Sequence, residues 1–328
     1  MHLAFELSGE HETLPRSEVF ACFRALRISY AEKSCAEGIL VLDARLSPEA
    51  LGTIAKRLAM THRIHEIRGM STPEEGELLA LIETVDMDNS MNPEHTFAVR
   101  ITGKSSSGLE RNAGEIIKRK GYSVNLTDPS KTFTLLFTKQ TCFFCLLLYT
   151  ADKKQFGARR PHLRPFFSPG VIMPKFARAL VNLSGVKENE LLLDPFCGTG
   201  GILIEAGLIG ARIMGIDVQE KMVRGAEENL RYYGLSGTLI VGDAANMAVR
   251  DKSVDAIVTD MPYGRSSLIS GTGYVIAESR SLFLNGLYQN ALDEAHRVLK
   301  QGGKAVIVSN SFSLSSRCPE HKFRVLEK

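Results

Sequence analysis

Four short stretches in the carboxyl-terminal half combine residue types that do chemistry. The first is Asp194-Pro195-Phe196-Cys197-Gly198-Thr199-Gly200, a carboxylate and a glycine loop directly after the apolar run Leu191 to Leu193. Glycines allow positive φ and let a backbone approach a ligand closely. The second is Asp217-Val218, after Ile213 to Ile216, and the third is Asp243-Ala244, after Leu239 to Val241. The fourth, Asp260-Met261-Pro262-Tyr263-Gly264, follows Ala256 to Thr259. A dinucleotide site would want G-x-G-x-x-G/A and a helix start open to pyrophosphate. Here the third small residue is replaced by Leu203, and Asp194 would repel a pyrophosphate. A carboxylate suits a cation instead. S-adenosylmethionine carries an ammonium and a sulfonium and no phosphate. Asp217 can accept from both ribose hydroxyls, and Asp243 from an adenine amino group. The predicted cofactor set is Asp194, Pro195, Cys197, Gly198, Gly200, Asp217, Val218, Asp243 and Ala244. NAD or a structural turn is the competing reading.

The fourth stretch resembles the Asp/Asn-Pro-Pro-aromatic motif of methyltransferases that act on an exocyclic amine, with Met261 where proline is usual. An amino group on guanine or adenine is a poor nucleophile, because its lone pair is delocalised into the ring. A carboxylate and a main-chain carbonyl, each accepting one N–H, can hold the nitrogen in an attacking geometry. Such positioning is worth up to about 7–11 kcal/mol in well-oriented systems. Pro262 constrains the turn, and Tyr263 offers a face on which an extruded base can stack. Asp260, Pro262 and Tyr263 are therefore the predicted catalytic residues, against a polar turn at a strand end.

These loops need strands that end together. From Pro174 onward, five short apolar runs alternate with helical segments, which predicts a parallel, doubly wound sheet covered on both faces. Ahead of it, residues 1–68 read as a small α+β unit. Its strands are predicted at His2 to Leu7, Gly38 to Leu42 and Thr61 to Ile67, and its helices follow Pro15 and Ser47-Pro48. Residues 69–150 read as a second α+β unit, with strands at Thr96 to Thr102, Ser123 to Leu126, Thr132 to Thr138 and Thr141 to Tyr149 and a helix at Gly108 to Lys120. Cys142 and Cys145 form a CxxC with no second pair, so a buried strand is predicted rather than zinc, and no metal is expected. Residues 151–170, with Pro161, Pro165 and Pro169, read as an extended basic linker.

The chain has 328 residues, 44% of them hydrophobic, and a net charge of +3. That size predicts two or three domains at ~100–200 residues each, and the apolar fraction excludes a disordered or collagen-like chain. No apolar run of ~18 residues predicts a membrane span, and the amino terminus does not read as a signal peptide. Six cysteines are too few for a disulfide scaffold in a chain this long, so a reducing, cytoplasmic setting is expected. The small net charge hides a cationic segment. Asp152 to Arg178 holds seven basic residues and one acid, a local +6. Lys153, Lys154, Arg159, Arg160 and Arg164 are the predicted RNA-phosphate contacts, and a solvated linker is the equal alternative.

Taken together these residues resemble the THUMP-domain tRNA guanine-N2 methyltransferases, above all the archaeal type that modifies guanosine at position 10. FELSGE followed by LPRSEV is similar to that family's amino-terminal ferredoxin-like domain. FAVRITGKSSSGLERNAGEIIKRKGYSVNLTDPSKTFTLLF resembles a THUMP module, and RRPHLRPFFSPGVIMPKFARALVNLSG is the most family-like stretch outside the catalytic loops. The resemblance implies a ferredoxin-like domain (1–68), a THUMP domain (69–150), a basic linker (151–170) and a Rossmann-like methyltransferase domain (171–328). It implies tRNA binding near the acceptor end and, as in some relatives, a small zinc-containing activator protein as a further partner. It implies that Asp194, Gly198, Gly200, Asp217 and Asp243 hold S-adenosylmethionine, while Asp260 and Tyr263 handle the guanine. N2-methylguanosine and N2,N2-dimethylguanosine are the implied products, and another guanosine such as position 6 is the alternative target. A DNA amino-methyltransferase and a non-catalytic RNA-binding module are the competing classes. Such domains usually end with two further strands, and Phe323 to Leu326 is expected to supply one.

Overall fold

The computed structural model describes every residue except 89, 105–107, 153, 263–279 and 310–328. The chain divides into two compact units. The first comprises Met1–Arg16, Arg27–Lys56 and Met60–Ala151, and the second Ser17–Leu26, Arg57–Ala59 and Asp152–Lys328.

The first unit is built on one sheet of eight strands: β1 (His2–Leu7), β2 (Tyr30–Ala36), β3 (Ile39–Ala44), β4 (Thr61–Ser71), β5 (Thr96–Thr102), β6 (Ser123–Val124), β7 (Lys131–Phe137) and β8 (Cys142–Thr150). Their order is β2-β3-β1-β4-β8-β7-β5-β6. The predicted boundary at residues 68 and 69 is corrected by β4. This strand runs through it, pairing antiparallel with β1 on one side and β8 on the other, so one ladder system joins both halves. Gly69 sits inside β4 because a Cβ there would come within 2.9 Å of the Leu81 side chain. Helices α1 (Leu14–Ala25), α2 (Pro48–Arg57), α3 (Glu75–Thr84) and α4 (Leu109–Arg119) complete this part of the sequence. Cys142 and Cys145 are fully buried, and burial pushes the Cys142 thiol up to about 12, so the CxxC is core packing as predicted.

A polar node explains why Ser17–Leu26 and Arg57–Ala59 belong to the second unit. Asn182 donates to Glu18 Oε1 at 2.7 Å and to the Arg57 carbonyl at 2.9 Å, while Arg57 donates to the Val186 carbonyl at 2.8 Å. Glu18, Arg57 and Asn182 are all buried, so each needs these partners to offset lost hydration.

The second unit carries β9 (Leu191–Asp194), β10 (Arg212–Asp217), β11 (Thr238–Val241), β12 (Val254–Asp260) and β13 (Leu299–Val308). All their pairings are parallel, in the order β11-β10-β9-β12-β13. Helices α5 (Lys154–Gly157), α6 (Pro174–Ser184), α7 (Gly201–Gly207), α8 (Glu220–Tyr232) and α9 (Arg280–Val298) accompany the strands. Helix α6 begins on Pro174 and stops on Gly185 at φ +73°, the start and stop residues a helix favours. The strand order reverses between β9 and β12. In open α/β sheets, ligands sit at that reversal, outside the carboxyl ends of the strands. The strand expected at Phe323 to Leu326 lies outside the described residues.

The extended linker is also corrected. Residues 154–157 form α5 and Pro161–Leu163 a short 3-10 turn, and the stretch packs within the second unit. Buried polar contacts hold it there. Phe166 N–H donates to Asn229 Oδ1 at 2.9 Å, and Asn229 returns a bond to the Phe166 carbonyl at 2.9 Å.

Candidate active site at the strand reversal

Asp194 ends β9 and Asp260 ends β12, so they flank the reversal, and Asp217 ends the neighbouring β10. Asp194 is 2% exposed. Its Oδ1 accepts from the Phe196 N–H at 3.1 Å and from the Thr259 hydroxyl at 2.7 Å. Both bonds fall on Oδ1, and among the described residues none falls on Oδ2. Burial raises the Asp194 carboxyl to about 7, with the charges of Asp260 and Asp217 pushing the same way against those two bonds. Asp217 is also raised by burial, against bonds from two backbone N–H groups. Its Oδ2 accepts from Gly198 N–H at 3.0 Å and its Oδ1 from Gln219 N–H at 2.9 Å. Each oxygen keeps a second lone pair for a ligand hydroxyl.

The glycine loop between β9 and α7 turns on two residues with positive φ, Gly198 at +50° and Gly200 at +79°. A Cβ at Gly198 would meet nothing within 4 Å, so the loop faces open space there. At Gly200, a Cβ would press on Ala226 of α8 at 3.3 Å. The loop therefore offers backbone rather than side chains. Cys197 is 5% exposed, and its Sγ lies 2.9 Å from where a Cβ on Gly215 would be. Burial holds its thiol protonated, well above the ordinary range. Pro195 is buried, and Ala244 packs with Leu193, Ile216 and Met247. Among the predicted cofactor residues, Pro195, Cys197 and Ala244 can contribute main chain only. Val218 and Asp243 are exposed, and Asp243 Oδ1 accepts from Ala245 N–H at 2.8 Å, which fixes the turn after β11.

These residues fit S-adenosylmethionine on chemical grounds. The charges of Asp260 and Asp217 act on Asp194, and a bound cation relieves that repulsion. The open glycine loop lies between the first two of them.

Of the predicted catalytic residues, Asp260 is half-buried and Pro262 follows Met261, whose side chain is 2% exposed. Met261 N–H donates to the Val308 carbonyl at 3.0 Å. A proline at 261 could not make that bond, which gives the departure from the usual motif a structural role. Tyr263 lies outside the described residues. Two residues at the site carry no signal in the sequence. Thr259 fixes Asp194 from the next strand, and the Tyr288 hydroxyl donates to the Pro262 carbonyl at 2.5 Å.

Two predicted RNA contacts are corrected. Arg159 makes a two-pronged ion pair with the fully buried Glu205, at 2.8 and 3.1 Å, and Arg178 joins the same carboxylate at 2.8 Å. Arg164 is 5% exposed, and its Nε donates to the Arg159 carbonyl at 3.2 Å. In this structure both side chains are turned inward. Lys154 and Arg160 are exposed, and Lys153 lies outside the described residues.

The fold and the site together define a Rossmann-like S-adenosylmethionine-dependent methyltransferase. Residues 161–327 match the family described as UPF0020, RMKL-like, methyltransferase domain. The chain is 36% identical, over all its length and 94% of the relative's, to a tRNA (guanine(10)-N2)-dimethyltransferase of Methanothermobacter thermautotrophicus. It is 33% identical over 82% of its length, and 84% of the relative's, to the Methanocaldococcus jannaschii protein of the same name. The solved structure of SMU.472 complexed with SAH shares the fold over 97% of this chain and 91% of its own, with a TM-score of 0.55 at 15% identity. The chain belongs to the tRNA (guanine(10)-N2)-dimethyltransferase family.

Proposed function

We propose that this chain methylates the exocyclic N2 amine of guanosine 10 in tRNA, first to N2-methylguanosine and then to the N2,N2-dimethyl form. One observation carries the site: three carboxylates, Asp194, Asp217 and Asp260, end neighbouring strands around the reversal, and burial raises Asp194 to about 7, with the other two pushing the same way. S-adenosylmethionine supplies a methyl group on a sulfonium, whose loss leaves a neutral thioether. In this reading Asp194 and Asp217 hold the cationic cofactor with the main chain of Gly198 and Gly200, and Asp243 borders the adenine. In the first transfer Asp260 accepts one N–H of the guanine amine and a main-chain carbonyl of the same loop accepts the other; in the second, the methylated amine has one N–H left to give. This arrangement turns the nitrogen lone pair outward. After transfer, the surplus proton on nitrogen leaves through Asp260 or solvent, and orientation supplies most of the acceleration. The stretches similar to ferredoxin-like and THUMP domains, joined in one sheet in the first unit, serve as the tRNA-docking part. Family membership and the exposed Lys154 and Arg160 support a tRNA substrate.

The test is incubation with unmodified tRNA and methyl-labelled cofactor, then nucleoside digestion and position mapping. Label on N2 of guanosine 10 is expected. Label at another guanosine, such as position 6, or on another base overturns the assignment. Turnover that appears only when a small zinc-containing activator protein is added identifies that partner.

A further inference from the structure

We propose that Tyr288 is a positioning residue for the acceptor loop: its hydroxyl holds the Pro262 carbonyl and so leaves the Met261 carbonyl, with Asp260, to receive the amine. This inference rests on the methyl-transfer reading above. The loop leaves β12 with its first residue held in place. Met261 is fastened twice, by its N–H on the Val308 carbonyl at 3.0 Å and by a side chain packed with Tyr288, Ala291 and Ala295. Pro262 has no N–H to give. Its ring fixes φ near −65°, but nothing in proline fixes ψ. The Tyr288 hydroxyl does so from α9, donating to the Pro262 carbonyl at 2.5 Å. Both dihedrals of residue 262 are then constrained.

The same bond sorts the two carbonyls of the loop. Pro262 O is engaged. Met261 O has no hydrogen-bond partner among the described residues. Asp260 and a main-chain carbonyl of this loop match an amine with two N–H groups to place. Tyr288 is 6% exposed. Burial, then the charge of Asp260, keeps its hydroxyl protonated and therefore a donor. In the usual motif two prolines stiffen this loop. Here Met261 takes the first place, and a hydrogen bond from another helix restores the stiffness.

Tyr288→Phe removes the hydroxyl and keeps the ring. The expected result is a fall in kcat for tRNA methylation of about ten-fold or more, with the tRNA KM and the cofactor Kd within about two-fold. Amide exchange in the peptide covering 260–264 is expected to speed up, and the thermal midpoint to stay near that of the unmodified chain. An unchanged kcat overturns the proposal. Parallel losses in cofactor affinity and thermal midpoint also overturn it, since they report core packing alone. The exchange measurement needs no turnover. If the unmodified chain fails to methylate tRNA guanosine, the functional reading falls, whereas unchanged exchange in Tyr288→Phe rejects the positioning role by itself.

Discussion

Asp194 keeps a carboxyl group whose proton leaves near neutrality, and that sets a pH dependence. Its folded value is raised from 3.8 to about 7 by burial first and by Asp260 and Asp217 next. Between those values the folded, ligand-free protein holds a proton that the unfolded chain has lost. This group therefore stabilises the free protein at acid pH, and the contribution is lost as pH rises through about 7. A cationic ligand prefers the ionised form. Cofactor affinity should consequently strengthen as pH rises toward about 7, by up to about ten-fold per unit, and level off above it. Calorimetry across that range, in buffers of differing ionisation enthalpy, should also show proton release on binding. Asp194→Asn should bind more weakly with a flat profile, and a wild-type slope in that variant would remove Asp194 from the account. Asp260→Ala should instead abolish methyl transfer while the cofactor still binds, measured by label transfer beside calorimetry. Activity within a few-fold of the unmodified chain would reject its role at the amine. Both aspartates are legible in the sequence because each closes an apolar run. Thr259 and Tyr288 are not. Thr259 reaches a partner 65 positions away, and Tyr288 one 26 positions away, and only the folded sheet makes them neighbours.

Among the elements, the parallel strands are readable because short apolar runs alternate with helical segments; β9 and β12 are largely buried, whereas β11 at the edge is partly exposed. The first sheet is harder. Strand β2 is almost wholly exposed and shows no alternation, so it escapes a reading based on hydrophobic period. Gly69 reads as a break in the sequence, yet β4 continues past it with only a register shift against β8, and its missing side chain is what admits Leu81. The segment before α6 misleads in another way. Its arginines and prolines look solvated, yet Arg159 turns to the fully buried Glu205 of α7 and meets Arg178 of α6 there. Composition cannot reveal that a charge is turned inward. The cluster makes a prediction for the element. Glu205→Gln should take from two largely buried guanidinium groups the carboxylate they share, which costs roughly 3–5 kcal/mol. Chemical denaturation should show a lower midpoint with little change in slope. A loss under about 0.5 kcal/mol, the size of an ordinary surface substitution, would mean that water already reaches the cluster.

For the molecule as a whole, a net charge of +3 over 328 residues gives little long-range attraction for a polyanion, so tRNA binding depends on where the cations are exposed. The count of seven basic residues between Asp152 and Arg178 overstates what a phosphate can reach. Arg159, Arg164 and Arg178 are turned inward. Lys154, at the start of α5, and Arg160, just before the 3-10 turn, remain exposed. Each phosphate contact removed flattens the salt dependence of binding by about 0.7–0.9 in log–log slope. Replacing Lys154 and Arg160 together by Ala should reduce that slope by about 1.4–1.8, weaken binding to many tRNAs alike, and leave thermal stability and cofactor affinity intact. Replacing Arg159 and Arg164 together should do the reverse, lowering the thermal midpoint by taking one of two guanidinium partners from the buried Glu205 and truncating the buried Arg164, while any protein that stays folded keeps its slope. Filter binding across a salt series, paired with thermal melts on both double variants, separates the two. A flattened slope in the Arg159 and Arg164 variant, with its melting point unchanged, would show that those side chains reach phosphate in the complex and would return the whole segment to the tRNA surface.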